Sequence, residues 1–370
     1  MRFIATCKLG LESVVTRELR GLGLEVEATC DARVYFSGGF EAMIRALLWL
    51  RTAERVLLVA GEFQAGSFDA LFEGTRALDW KRFLRPDSNI HVNGKSAKSA
   101  LFSVSDCQRI VKKAIIENLK RAYHREDIPE GGREVIVEIG MLRETATLAL
   151  DCCGAGLARR GYRTYNVAAP LSETLGAAVL LLSRYRPDRP LIDPMCGSGT
   201  MPIEAAMIAA NIAPGRGRRF AAEDWHFTEP ALWRAAREEA ADAARPSCAE
   251  ICGYDIDPRC IELCKKHAKK AGVMLDWRVQ PLSALQSERQ NGLVVCNPPY
   301  GERLLDEAEA AALYREMRAV FDRLPGWSVS VISGMRNFER AYGRRADRRR
   351  KLSNGGMSCQ LYQYFRGRPL

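Results

Sequence analysis

Two short stretches of the chain hold residues whose types and spacing could do chemistry: Asp193-Pro-Met-Cys-Gly-Ser-Gly-Thr200 and Asn297-Pro-Pro-Tyr300. The first follows the apolar run Pro190-Leu-Ile192 and opens the helix-forming segment MPIEAAMIAANIA. A glycine-rich turn at a helix N-terminus aims backbone amides at a ligand, and Gly197 and Gly199 bring no Cβ to obstruct it. No lysine precedes Thr200, which removes a phosphate loop of the Walker type, and Pro202 stands where a dinucleotide fingerprint would need its third glycine. An aspartate ahead of such a turn suits S-adenosylmethionine instead, because a carboxylate there accepts hydrogen bonds near the methionine ammonium group. Asp193, Met195, Cys196, Gly197, Ser198, Gly199 and Thr200 are therefore candidate cofactor contacts. A second carboxylate is expected at the end of the next strand, where it would accept both ribose hydroxyls. Asp255 in GYDID fits, with Ile256 beside it, whereas Asp257 is better placed to cap the helix that begins at Pro258.

The second stretch follows the apolar strand GLVVC and continues into Gly-Glu-Arg303. A nucleobase amino group is a poor nucleophile, since its lone pair is delocalised into the ring. The Asn297 side-chain oxygen and the Pro298 carbonyl can both accept from that NH2, orienting it and favouring the pyramidal form. Tyr300 can stack on the base, and the prolines hold the carbonyl rigid. Catalysis would then come from positioning rather than from a strong base.

The elements that must carry these loops read as an α/β fold. From about residue 170, helices alternate with short apolar strands (PLIDP, EICGYDID, MLDWRVQ, GLVVCNPP, WSVSVIS), the pattern of a mainly parallel, doubly wound sheet whose ligands bind at the carboxyl ends of the strands. The stretch ALWRAAREEAADAAR reads as a surface helix with solvated charges. Before residue 150 lie two small α+β units: strand, helix, strand, strand, helix, and then a pair of strands around Arg55 to Phe63, a helix near Ser67 to Ala77, the strand NIHVNGKS, a long amphipathic helix and two closing strands. No catalytic constellation appears in them, so they read as substrate-handling modules.

The 370 residues are 47% apolar with a formal charge of +10, enough for two or three domains that favour polyanions. Basic clusters fall at Arg159 to Arg163, Arg216 to Arg219 and Arg344 to Lys351. Lys95, Lys98, Lys112, Lys113, Arg159, Arg160, Arg163, Arg303, Arg349, Arg350 and Lys351 are the candidate RNA contacts. The opening residues lack a secretory apolar core and no window suits a membrane span, so a cytoplasmic protein with no membrane partner is expected. Twelve dispersed cysteines then read as reduced thiols. Cys248, Cys252, Cys260 and Cys264 form two C-x3-C pairs, but a strand followed by a helix would point them apart, and no metal is expected.

At these residues the chain resembles class I methyltransferases that carry an N-terminal THUMP domain, and closely the N-terminal portion of the large-subunit rRNA guanine-N2 methyltransferases. The resemblance runs nearly end to end, through ATCKLGLESVVTREL, HVNGKSAKSALFSVSDCQRIVKKAI, GLARRGYR, APLSETLGAA, DPMCGSGT, NPPYGER and RKLSNGGMSCQLYQY. It implies a ferredoxin-like unit over 1–59, a THUMP domain over 60–153 and a Rossmann-like methyltransferase domain over 154–370. It also implies that Glu173 and Thr174 lie beside S-adenosylmethionine, and that the substrate is a guanine N2 in structured RNA, with 23S rRNA ahead of tRNA. Long bacterial relatives append a second methyltransferase module absent from this sequence, so its ring-carbon or N7 chemistry is not carried over. Gln280, Pro281 and Leu282 stand where the family usually places an acidic residue near the adenine. Two other readings compete: an adenine-N6 DNA methyltransferase, which shares the Asn-Pro-Pro-Tyr loop, and a non-catalytic RNA-binding assembly factor.

Overall fold

A computed structural model describes residues 1–163, 171–299 and 307–366, leaving Tyr300 and Arg303 outside the described residues. The first part of the chain runs β1 (Arg2–Cys7), α1 (Glu12–Gly21), β2 (Glu25–Cys30), β3 (Arg33–Ser37), α2 (Phe40–Trp49), β4 (Ala53–Gln64), α3 (Phe68–Arg76), β5 (Asn89–Ala97), α4 (Val104–Tyr123), β6 (Glu134–Leu142) and β7 (Thr145–Asp151). These strands make a single seven-stranded sheet in the order β2-β3-β1-β4-β7-β6-β5.

One strand joins the two N-terminal units. The expected pair of strands around Arg55 to Phe63 is the single twelve-residue β4, which pairs antiparallel with β1 through Phe3↔Leu58 and with β7 through Leu57↔Asp151. The boundary read at 59/60 therefore falls inside a strand. A register shift between Val59 and Gly61 allows the run to change partners without a turn.

The second part runs α5 (Glu173–Leu182), β8 (Leu191–Asp193), α6 (Thr200–Ala209), α7 (Pro230–Asp242), β9 (Ile251–Asp255), α8 (Pro258–Ala271), β10 (Asp276–Val279), β11 (Leu293–Cys296), α9 (Glu307–Asp322), β12 (Ser328–Ser333), α10 (Phe338–Tyr342), β13 (Arg348–Asn354) and β14 (Met357–Tyr364). Its sheet has the order β10-β9-β8-β11-β12-β14-β13, parallel from β10 to β12 and closed by an antiparallel hairpin. Strand β8 lies between β9 and β11, the arrangement that opens a crevice at the carboxyl edge. Asp257 accepts from the Arg259 amide at 2.8 Å and Pro258 occupies the first turn of α8, so the capping role read for Asp257 is present.

The two sheets belong to one packed body. Gly215 donates to Leu48 O at 2.9 Å, and a Cβ there would come within 2.7 Å of Leu47 O, which only glycine tolerates. Ala222 donates to Cys152 O at 3.1 Å, and Phe227 stacks on Trp225 of the second part while meeting Phe83 edge-on and Phe40 at a tilt in the first. Helix α7 is the surface helix expected, with Arg234, Glu238, Glu239 and Asp242 exposed, but one face is anchored inward. Trp233 and Ala240 are buried, and Arg237 bonds the carbonyls of Arg216 and Arg218 and the Glu223 carboxylate. Among the described residues no helix is long and apolar enough to cross a membrane, and no group of three His, Cys, Asp or Glu could hold a metal.

Candidate active site

Strand geometry places three polar residues at one edge. Asp193 ends β8, Asp255 ends β9 and Asn297 follows β11, and these are neighbouring strands. Between the first two lies the glycine turn. Gly197 (φ +55°) and Gly199 (φ +81°) adopt left-handed backbone that other residues resist, and a Cβ on Gly197 would meet nothing within 4 Å. The turn is thus an open cradle on the ligand side. It is held from behind: Gly199 packs on Cys264 and Trp277, the Cys264 thiol donates to Gly197 O at 3.2 Å, and His267 Nδ1 lies 3.0 Å from Ser198 O.

The two carboxylates differ. Asp193 is buried, with Oδ1 accepting from the Met195 amide at 3.2 Å. Burial, reinforced by the charge of Asp255, pushes its carboxyl well above the usual range. Asp255 is half-buried and accepts from the Gly197 and Asp257 amides, both at 2.9 Å. Each carboxylate oxygen retains a lone pair for a further donor. Ile256 beside it is 72% exposed, an apolar surface at a polar edge. Met195 is partly exposed, whereas Cys196 is buried with its sulfur 3.7 Å from that of Cys264. Ser198 and Thr200 are also buried.

Asn297 carries the feature most informative about chemistry. Its Oδ1 is buried and has no hydrogen-bond partner among the described residues. Pro298 behind it is buried and Pro299 partly so.

Sequence reasoning missed how the N-terminal sheet reaches this edge. Thr174, in the first turn of α5, donates to Glu54 Oε1 of β4 at 2.6 Å, and Lys8 Nζ approaches the same oxygen at 3.4 Å. Next to it Glu173, its carboxyl raised by burial, lies 3.7 Å from Arg163. Arg163 in turn donates to Thr200 Oγ1 at 2.5 Å and Leu171 O at 2.8 Å. A polar chain therefore connects β1 and β4 to the glycine turn. Lys8 and Glu54 sit in no motif, so only the fold could reveal them.

The structure redistributes the basic residues. Arg160 was read as an RNA contact, yet its side chain is 2% exposed and is committed to Glu204, Leu157 O and Arg51 O. It has no surface to offer a phosphate. Arg163 is similarly turned inward, at 12% exposure. Arg350 bonds Gly10 O at 2.8 Å, while Arg349 pairs with Glu339 at 3.2 Å and Lys112 with Glu130 at 2.8 Å. Lys95, Lys98, Lys113, Arg159 and Lys351 are exposed. In the cluster at Arg216 to Arg219, Arg216 and Arg219 are exposed but already partnered: Arg216 bonds Ala271 O, Arg218 bonds Ala155 O and Gly156 O, and Arg219 pairs with Asp224.

With this geometry in view, comparison with known proteins is decisive. Residues 160–363 match the family model of the RMKL-like methyltransferase domain. This chain belongs to that family. Residues 2–57 match the RlmL ferredoxin-like domain and 65–151 the THUMP domain, placing both before the methyltransferase part. A Bacillus subtilis protein provisionally named RNA methyltransferase YpsC is 44% identical over 98% of this chain and 95% of its own length. Ribosomal RNA large subunit methyltransferase K/L of Methylococcus capsulatus is 37% identical over 98% of this chain, which spans only 51% of that relative. A solved methyltransferase complexed with SAH (S-adenosylhomocysteine) superposes with a TM-score of 0.92 at 40% identity, covering 100% of this chain and 99% of its own. A Listeria monocytogenes structure described as a predicted N6-adenine-specific DNA methylase gives 0.93 at 45%, covering 99% and 96%. The RMKL-like domain is thus a Rossmann-like, S-adenosylmethionine-dependent methyltransferase.

Proposed function

We propose that this RMKL-like protein transfers a methyl group from S-adenosylmethionine to the exocyclic amino group, N2, of a guanine in structured RNA, with 23S rRNA as the target. Asn297 Oδ1 carries this reading. A buried acceptor without a donor costs about 1–3 kcal/mol, so the position favours an incoming N–H, and an amino group beside the strand edge supplies one. When bound, S-adenosylmethionine supplies a sulfonium methyl whose S–C bond breaks as the amino nitrogen's lone pair takes the carbon. Asp193 and Asp255 would hold the methionine and ribose ends, the open face of Gly197 would admit them, and Ile256 would offer an apolar contact to the adenine. Asn297 Oδ1 and the Pro298 carbonyl would orient the amino group, whose surplus proton leaves to water.

RNA as the substrate is supported by the THUMP match and by the names of the Bacillus and Methylococcus relatives. Guanine N2 rests on the resemblance to that enzyme class. The test is to incubate the purified chain and labelled S-adenosylmethionine with large-subunit RNA from a deletion strain, then digest and identify nucleosides by mass spectrometry. N2-methylguanosine is expected. Methylation of adenine N6 in DNA would instead favour the function named for the Listeria structure, and cofactor binding without any transfer would leave an RNA-binding factor.

A further inference from the structure

Among the described residues the exposed phenylalanines are Phe68 and Phe102, at 39% and 82%, and both lie at one end of the N-terminal sheet. The register fixes this. Ala97 at the end of β5 pairs with Leu142 at the end of β6, Leu142 pairs with Thr145 at the start of β7, and Thr145 pairs with Gln64 at the end of β4. Phe68 begins the helix after Gln64, and Phe102 sits in the loop after Ala97. Leu142, 39% exposed, adds a third apolar side chain to the same end.

The Phe102 loop is anchored rather than loose. Ala100 donates to Glu144 Oε1 at 2.9 Å, Ser96 Oγ donates to Leu101 O at 2.7 Å, and Leu101 is buried, so the adjacent ring is held outward. Lys98 is in the same loop, Arg143 precedes the Glu144 that anchors it, and Lys95 lies two residues before the end of β5; all three are exposed and without a carboxylate partner among the described residues. Of the acidic groups at this end, Glu144 is engaged with the loop and Asp106 with Arg109 and Ser103, while Asp69, next to Phe68, is exposed. A ring held in solvent among unpaired cations matches the chemistry of an unstacked base flanked by phosphates.

We propose that Phe102, with Lys95, Lys98 and Arg143, forms a stacking surface for unpaired nucleotides in a loop or single strand of the RNA substrate. This rests on the reading that RNA is the substrate. Its position adds a size requirement. Glu54 of β4 contacts the methyltransferase edge, while Gln64 lies ten residues further along the same strand, a separation of roughly 30 Å at about 3.3 Å per residue. An RNA that reaches both the catalytic edge and Phe102 must span about that distance.

The experiment compares the full chain with Phe102→Ala and Phe102→Trp by fluorescence anisotropy, using an unstructured oligouridylate of about twelve nucleotides and an RNA duplex of about equal length. Phe102→Ala should weaken oligouridylate binding about tenfold and leave duplex binding and the melting temperature unchanged, while Phe102→Trp should retain affinity. Equal oligouridylate binding by wild type and Phe102→Ala overturns the proposal. So does an equal loss on duplex, or no oligouridylate binding by the wild type. Methyl transfer to large-subunit RNA is measured in parallel. Transfer with an unaffected Phe102→Ala defeats only the stacking surface, whereas stacking without transfer to RNA defeats only the proposed reaction.

Discussion

The two sheets of this molecule use polar residues in opposite ways. At the carboxyl edge of the parallel sheet, Asp193, Asp255 and Asn297 converge from neighbouring strands and keep hydrogen-bonding capacity in reserve. Where the mixed N-terminal sheet meets the methyltransferase part, polar groups mostly bond one another: Glu54 with Thr174 and Lys8, Arg51 with Ile212 O, Arg160 with Glu204, although Arg51 Nη1 and Glu204 Oε2 keep no hydrogen-bond partner among the described residues. At its far end Lys95, Lys98 and Arg143 are exposed without an ion-pair partner among the described residues. The lesson is that a chemically suggestive residue acquires a role from what remains unsatisfied around it. By that criterion Arg160 is an interior tie, and Asn297 is the group proposed to hold the substrate's amino group.

The comparison breaks most visibly at Arg160. Arg160→Ala would leave Glu204, fully buried, without its cation, and removing one partner of a buried pair costs about 3–5 kcal/mol. Urea unfolding should show that loss, and Arg160→Lys should recover little of it, because a single ammonium cannot serve Leu157 O, Arg51 O and Glu204 together. A variant as stable as wild type that bound RNA poorly would return Arg160 to the surface role first read for it.

Asn297→Ala should do the reverse, keeping stability and cofactor affinity while losing turnover. One lost positioning hydrogen bond costs about 3 kcal/mol at the transition state, on the order of a hundredfold in rate. Asn297→Asp retains acceptors and should keep measurable activity. Wild-type rates in both would end the amino-group mechanism. Asp255→Ala should act on binding, by roughly ten- to a hundredfold in Kd for S-adenosylmethionine. It would remove both the proposed ribose acceptor and the tie to the Gly197 amide. Calorimetry showing unchanged affinity would remove Asp255 from the cofactor site.

What the sequence made legible follows the same division. The glycine turn, the Asp257 cap and the five parallel strands depend on neighbours close in sequence, so apolar runs, Pro258 and the glycines announced them. Strand β4 was read as two because a bulge at Ala60 interrupts its alternation, and only its partners β1 and β7 reveal its continuity. Glu54 meets Thr174 120 residues away and Lys8 joins it on the same oxygen, and nothing local marks either residue. The basic clusters misled for a related reason. Arginine's planar fork binds backbone carbonyls as readily as phosphates, and composition records the charge without its partner.

The smallest expected effect sharpens that last point. Neutralising a phosphate contact lowers the salt dependence of binding by about one unit of slope per contact, whatever the RNA sequence. Lys95→Gln with Lys98→Gln removes two exposed, unpaired cations and should flatten the plot of log Kd against log salt by one to two units, in the terms just given. Arg216→Gln with Arg219→Gln removes the same formal charge from a cluster tied to Ala271 O and Asp224, so its slope should stay near wild type even if stability falls slightly. Measured on the same RNA, the two pairs hold net charge constant and vary only whether each cation already has a partner. Equal flattening by both would mean that overall charge governs affinity and that the partners seen here are exchanged for phosphate on binding.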